Sequence, residues 1–191
     1  METYLEYAAV LLGVVYVLLA SKGNKWCWPA GIAGSALYIS INFTHHLFQD
    51  AILQIYYVLA GFYGWWKWTR KDRHEEQNII SYTLTQNLPL IAGGALLVPV
   101  FGYLFAQFGN ALSYFDAAVT VFSFIATWMT AKKILQNWIF WIVIDALAAV
   151  MYAIKGLYPT TGLYVFYCIV CIYGYLEWQK QLRLQQSEAT I

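Results

Sequence analysis

A single carboxylate stands in the middle of a long apolar run. In Trp138-Ile-Phe-Trp141-Ile-Val-Ile-Asp145 the two tryptophans and the aspartate fall at i, i+3 and i+7, which is one face of a helix. Tyr152, at i+14, extends the stripe. A carboxylate in apolar surroundings is costly unless it faces a cavity or a partner. No lysine or arginine lies at comparable depth, so Asp145 calls for a bound cation, a tyrosine hydroxyl or a proton of its own. The plainer alternative is a protonated Asp145 that only bonds a neighbouring helix. Tryptophan faces are polarisable and suit an aromatic ring, a cationic one better still. Trp138 is near a helix end, where an interfacial belt is an equal reading; Trp141 is one turn deeper.

Other polar side chains fall at helical spacing in neighbouring runs. Gln54 and Tyr57 lie on a line with Asp50 and Gly61. Gln54 both donates and accepts, which suits an amide or a sugar hydroxyl. Tyr38 and Asn42 form a second set, and Thr160, Tyr164 and Tyr167 a third. Each of these could instead tie helices together. Glu6 and Asp116 are either solvated helix ends or the rim of a cation-attracting vestibule. His45 and His46 have no ligand set around them and read as solvated. Cys168 and Cys171 form C-x-x-C without a second pair, so packing of small residues outweighs metal or redox use. There is no phosphate-cradling loop, nucleophile elbow or zinc signature. No catalytic set, metal or cofactor is expected, and no basic stripe supports nucleic-acid binding.

The elements that must position these residues follow from composition. The charged fraction is 11% and the hydrophobic fraction 61%, whereas soluble domains carry about 25% charged residues. So few charges cannot cover the surface of a soluble fold of 191 residues; a bilayer removes the need. A helix crosses the hydrocarbon with roughly 20 residues. Seven runs qualify, near 4–21, 27–44, 50–68, 88–107, 112–131, 134–154 and 158–178. The first has acidic residues ahead of it and no small-residue cleavage pattern after it, so it reads as a retained helix rather than a signal peptide.

Charge sets the orientation. Lys22, Lys25, Lys67, Arg70, Lys71, Arg73, Lys132, Lys133, Lys180 and Arg183 fall on one side, and only Lys155 on the other. Basic residues stay cytoplasmic. The expectation is an N-terminus outside and a C-terminus in the cytoplasm, with tryptophans clustered at the inner ends.

The chain also repeats itself. Tyr63-Gly64-Trp65-Trp66-Lys67-Trp68 and Tyr173-Gly174-Tyr175-Leu176-Glu177-Trp178 are offset by 174 − 64 = 110. Without gaps the same offset pairs Glu6 with Asp116, Lys22 with Lys132, Trp28 with Trp138, and Tyr57 with Tyr167. The reading is an all-α membrane protein of seven transmembrane helices, two parallel three-helix repeats joined by a linker helix (3+1+3). The first bundle covers 1–69, a cytoplasmic linker 70–87, the connecting helix 88–107, the second bundle 108–178 and a cytoplasmic tail 179–191. Repeated bundles with a midplane site between them are a transporter architecture; duplication kept for packing alone is the alternative.

Several of these residues together resemble one family. Trp28-Pro29-Ala30-Gly31, Gln54-Ile-Tyr-Tyr57, Tyr63-Gly64-Trp65-Trp66-Lys67-Trp68, Gly156-Leu157-Tyr158 and Tyr173-Gly174-Tyr175 look like segments of the PnuC family of bacterial vitamin transporters. Trp138-x-x-Trp141-x-x-x-Asp145 is similar to its W-x-x-W-x-x-x-N/D motif. The resemblance spans nearly the whole chain. It implies a SWEET-like 3+1+3 arrangement in the bacterial inner membrane and facilitated diffusion of an unphosphorylated B vitamin. Nicotinamide riboside is placed ahead of thiamine, with riboflavin and a proton-coupled mode as further alternatives. It implies trapping by a cytoplasmic vitamin kinase and leaves room for a homo-oligomer. Carried over, Trp138, Trp141 and Asp145 become substrate contacts, joined by Gln54 and Tyr57, with Asn42 and Tyr164 on the facing helices. The chain departs from some members by lacking an extra N-terminal helix and by having Asp145 where many have asparagine.

Overall fold

Short polar turns divide the apolar runs. A computed structural model describes residues 2–44, 48–70, 78–108 and 112–188, and it is all helical apart from these turns and one short extended segment. The helices are α1 (Glu2–Ser21), α2 (Cys27–Thr44), α3 (Phe48–Thr69), α4 (Leu84–Ala106), α5 (Ser113–Ala131), α6 (Asn137–Ile154) and α7 (Tyr158–Glu188). His45 and His46 lie outside the described residues, as do Lys71 and Arg73.

Five of the seven helices (α1, α4, α5, α6 and α7) are long and apolar enough to cross a membrane. α2 and α3 are not among them. Both carry the polar stripes noted above, Tyr38 and Asn42 on α2, Asp50, Gln54 and Tyr57 on α3, and all of these side chains line an internal cavity. Their hydropathy is lowered by groups that face inward rather than lipid. α4 shows the opposite pattern: Leu84, Leu96 and Tyr103 are largely exposed, as a lipid-facing helix requires.

Two bounds differ from expectation by four residues or more. α4 starts at Leu84 rather than near 88, because Gln86 reaches back to accept the Thr83 N–H at 2.8 Å, a capping arrangement that starts the helix early. α7 continues to Glu188, ten residues beyond 178, past the end of any hydrocarbon span. The segment 78–82 before α4 docks rather than dangles. Ile80 N–H donates to Lys133 O at 3.0 Å and Leu135 N–H to Ile80 O at 2.8 Å. Ile79 and Tyr82 donate to the side-chain carbonyls of Gln185 and Gln136.

Consecutive helices pack in two runs, α1 on α2 on α3 and α5 on α6 on α7, while α4 lies on α5. The runs meet where α3 packs on α5 and α1 on α7. The α1–α2 and α5–α6 turns carry the same bonds. Gly23 N–H donates to Ala20 O at 2.9 Å and Lys133 N–H to Thr130 O at 3.0 Å. Asn24 bonds Leu19 O and Ile134 bonds Met129 O, both at 3.0 Å. Gly23 and Lys133 each adopt positive φ, 67° and 54°. Lys133 holds this unfavourable conformation with its carbonyl engaged by Ile80 and its ammonium 4.8 Å from the Trp68 ring. Burial lowers the pKa of that ammonium.

Four tryptophans fill the helix ends beside these turns. Trp28 meets Trp68 and Trp138 meets Trp178 edge to face, each at 5.4 Å, and Trp68 meets Trp178 at 6.0 Å. The Trp68 indole donates to Ala131 O of α5 and the Trp178 indole to Ala20 O of α1, both at 3.1 Å. Each run of helices thus hydrogen-bonds the first helix of the other. Gly64 and Gly174 allow this approach, for a Cβ there would stand 2.3 Å from Trp28 and 2.8 Å from Trp138.

Candidate functional site

Above the tryptophan cluster lies a cavity of about 590 Å³. Every residue singled out as a substrate contact lines it: Trp138, Trp141, Asp145, Gln54, Tyr57, Asn42 and Tyr164. They come from α2, α3, α6 and α7, so the cavity lies between the two runs of helices.

Asp145 is 5% exposed and accepts a hydrogen bond from the Cys171 thiol at 3.5 Å. A thiol is a weak donor, so the carboxylate gains little from it and retains acceptor capacity toward the cavity. Cys168, the other half of the C-x-x-C pair, instead approaches Ile142 O at 3.7 Å. The two thiols serve different partners, and among the described residues no group of acidic, histidine or cysteine side chains could hold a metal.

Trp141 is half-buried, and its indole donates to Thr130 Oγ1 at 3.2 Å. Thr130 lies 2.9 Å from Ala126 O and 3.0 Å from Asn137 Oδ1, and Asn137 donates to Ile134 O at 2.6 Å. This chain of bonds fixes the ring plane and satisfies the N–H, so the π-face is what Trp141 offers a ligand. Trp138, 2% exposed, forms part of the cavity floor and part of the tryptophan cluster at once. Neither the Trp28 nor the Trp138 indole N–H has a partner among the described residues.

Tyrosines complete the wall. Tyr57 of α3 lines the cavity with Ser123 of α5. Tyr152 stacks on Tyr164 at 5.3 Å and 16°. Tyr167 meets Tyr164 edge to face.

Two features were missed in the sequence. α5 presents Thr120, Ser123, Thr127 and Thr130 at spacings of three, four and three; all are buried and all line the cavity. The spacing was the available signal. Cys171 was read as packing, and its contact with Asp145 joins two helices in a way spacing alone does not reveal. Glu6, Asp50 and Asp116 line the end of the cavity away from the tryptophans. Lys155 lies 3.6 Å from Asp116 beside that mouth, yet it does not line the cavity. With Asp145, four carboxylates face the cavity, and among the described residues no lysine or arginine does.

Comparison with known proteins places this geometry. Residues 3–180 match the family described as nicotinamide mononucleotide transporter. The chain is 21% identical to the nicotinamide riboside transporter PnuC of Escherichia coli, over 98% of this chain and 90% of that protein. It is 24% identical to the nicotinamide riboside transporter PnuC of Neisseria mucosa, over 98% and 76%. It is also 24% identical to the riboflavin/roseoflavin transporter RibM of Streptomyces davaonensis, over 91% and 83%. A crystal structure of the vitamin B3 transporter PnuC superposes with a TM-score of 0.78 at 22% identity, covering 95% of this chain and 83% of that one. The chain belongs to the nicotinamide mononucleotide transporter family, a family of multi-helix membrane transporters.

Proposed function

We propose that this member of the family carries an unphosphorylated, cationic B vitamin across the membrane by facilitated diffusion, with nicotinamide riboside as its substrate. One observation carries the reading: a single cavity faced by four carboxylates and by no lysine or arginine among the described residues. Such a wall attracts a cation and repels an anion in a medium that screens poorly. A pyridinium ring can stack on the Trp141 face with Asp145, one turn further along the same helix and lining the same cavity, beside it. A phosphate would meet Glu6, Asp50 and Asp116, beside which Lys155 is the one basic residue seen among the described residues. The electrostatics therefore favour the riboside named for the relatives over the mononucleotide of the family's description. Thiamine, also a cation with an aromatic ring, is the second reading; neutral riboflavin leaves Asp145 without a counter-charge.

The same reading assigns the architecture. Helices α1–α3 and α5–α7 act as two parallel repeats joined by α4, with all seven spanning the membrane. The matched turns, the equal Trp28–Trp68 and Trp138–Trp178 distances and the reciprocal indole bonds support it. The basic residues put the tryptophan end in the cytoplasm and the N-terminus outside. Transport is then rocking of the two triplets about the cavity, with a cytoplasmic kinase trapping the product.

Purified protein in liposomes tests this. Saturable uptake of labelled nicotinamide riboside that equilibrates without accumulating, with or without a pH gradient, is expected. Accumulation only under a gradient would replace facilitated diffusion by proton coupling, and uptake of the mononucleotide in preference to the riboside would overturn the substrate.

A further inference from the structure

A segment outside the cavity ties the two runs of helices together at the tryptophan end. Residues 78–82 are extended, so successive side chains face opposite ways: Ile79 is 4% exposed and Ile80 40%. Ile79 belongs to the buried cluster that holds Ala20, Cys27, Trp28 and Trp68 of the first run and Leu135 and Trp178 of the second. It does not line the cavity. The hydrogen bonds that anchor the segment point one way. Apart from a bond to α4, among the described residues they all go to the second run. Ile80 exchanges two with the α5–α6 turn. Gln136 accepts the Tyr82 N–H and donates to Ser81 Oγ, both at 2.8 Å. The Ile79 N–H reaches Gln185 at 3.2 Å, on the part of α7 that outruns the hydrocarbon, and Leu182 of the same stretch packs against the cluster.

The two matched turns differ at the point where the segment docks. Gly23 of the α1–α2 turn takes positive φ freely, whereas Lys133 at the matching position does not. A residue held there needs surroundings that over-determine it, and the segment supplies them by engaging the Lys133 carbonyl. The α1–α2 turn carries no such segment among the described residues. From this we propose that residues 78–82 are a latch on the inner end of the transport path. The latch rides on the second run, and its Ile79 plugs the seam to the first. Opening toward the cytoplasm requires Ile79 to leave the cluster, so the hold of the segment sets how often the inner end opens, as lids do in other proteins. The inference goes beyond the substrate and is independent of it; it rests on the reading that places the tryptophan end in the cytoplasm.

Cys27, fully buried in the same cluster, is a built-in reporter. The full chain is exposed to a membrane-impermeant maleimide in inside-out and in right-side-out membrane vesicles, and the rate of Cys27 labelling is read by mass spectrometry, with no substrate added. Ile79→Ala removes the plug and should speed labelling in inside-out vesicles about tenfold or more, while Ile79→Leu should stay near the rate of the unchanged protein. Gln136→Ala and Gln185→Ala leave the cluster intact and remove anchors. Gln136 makes no side-chain cap to α6, so its loss does not unseat that helix. Each should speed labelling about two- to tenfold, the factor for a lost hydrogen bond. In right-side-out vesicles none of the variants should differ from the unchanged protein. Unchanged labelling in the glutamine variants and in Ile79→Ala would overturn the latch, and so would equal acceleration from both sides, which is what general loosening of the cluster gives. Acceleration in right-side-out vesicles alone would overturn the cytoplasmic placement, and the latch as an inner one with it.

Discussion

Gly174→Ala and Gly64→Ala probe the packing that closes the tryptophan end. An alanine Cβ at position 174 would stand 2.8 to 2.9 Å from three ring atoms of Trp138, and at position 64, 2.3 to 2.5 Å from three of Trp28. Carbon atoms in contact prefer about 3.5–4.0 Å, so something must move. Neither indole can yield easily, because Trp28 and Trp138 are fully buried and each packs against another tryptophan. Overpacking of this kind costs about 1–3 kcal/mol. Against it, alanine gains about 0.5–1 kcal/mol over glycine in a helix interior. Gly93 on α4 and Gly162 on α7 supply the control, for a Cβ at either meets nothing within 4 Å. There the helical gain stands alone. The two classes should differ by about 1–3 kcal/mol, which at roughly 2–4 °C per kcal/mol for a chain of this size separates their melting points by roughly 2–12 °C. The assay is thermal melting in detergent followed by size exclusion, with all four variants side by side. If Gly174→Ala and Gly64→Ala melted with or above Gly93→Ala and Gly162→Ala, the tight tryptophan packing would be wrong.

Other perturbations separate binding from folding. Asp145→Ala and Trp141→Ala should abolish saturable uptake while expression and detergent elution survive, which an uptake assay beside a melting curve would show. Cys171→Ser puts a stronger donor against Asp145 and should raise KM for a cationic substrate with little change in melting point; an unchanged KM would show that the thiol contact does not tune the carboxylate. Lys155→Ala removes a half-exposed ion pair worth about 0.2–1 kcal/mol. It should hardly change stability, yet it makes the mouth more negative and should speed cation entry at low salt. Trp178→Phe removes an indole bond to Ala20 O, but that carbonyl keeps the Gly23 N–H, so the loss should stay near about 1 kcal/mol in a denaturation curve.

The sequence carried the helices through periodicity, and it pointed to the candidate site through cost. Asp145 stood out because nothing in its own run could neutralise it, and Trp141 and Trp138 followed at helical spacing. Asn42, Gln54, Tyr57 and Tyr164 were readable because polar groups at helix depth need a reason. What escaped notice was of two kinds. The α5 hydroxyls are small and can satisfy themselves against the preceding turn, so their stripe looks like packing until the cavity is seen. Contacts between distant segments, such as Cys171 with Asp145 or Ile80 with the α5–α6 turn, leave no periodic trace. Hydropathy alone would also have rejected α2 and α3, because the residues that build the cavity are the ones that lower their apolar score.

The most direct measurement is thermal stabilisation of the detergent-purified protein by nicotinamide riboside, thiamine and riboflavin, with their phosphorylated forms beside them. A ligand that binds only the folded state stabilises by mass action, about 2.7 kcal/mol at one hundred times Kd. The account predicts a rise in melting point with nicotinamide riboside that is absent with the mononucleotide and absent in Asp145→Ala. A rise with the mononucleotide, or an equal rise with nicotinamide riboside in Asp145→Ala, would contradict it.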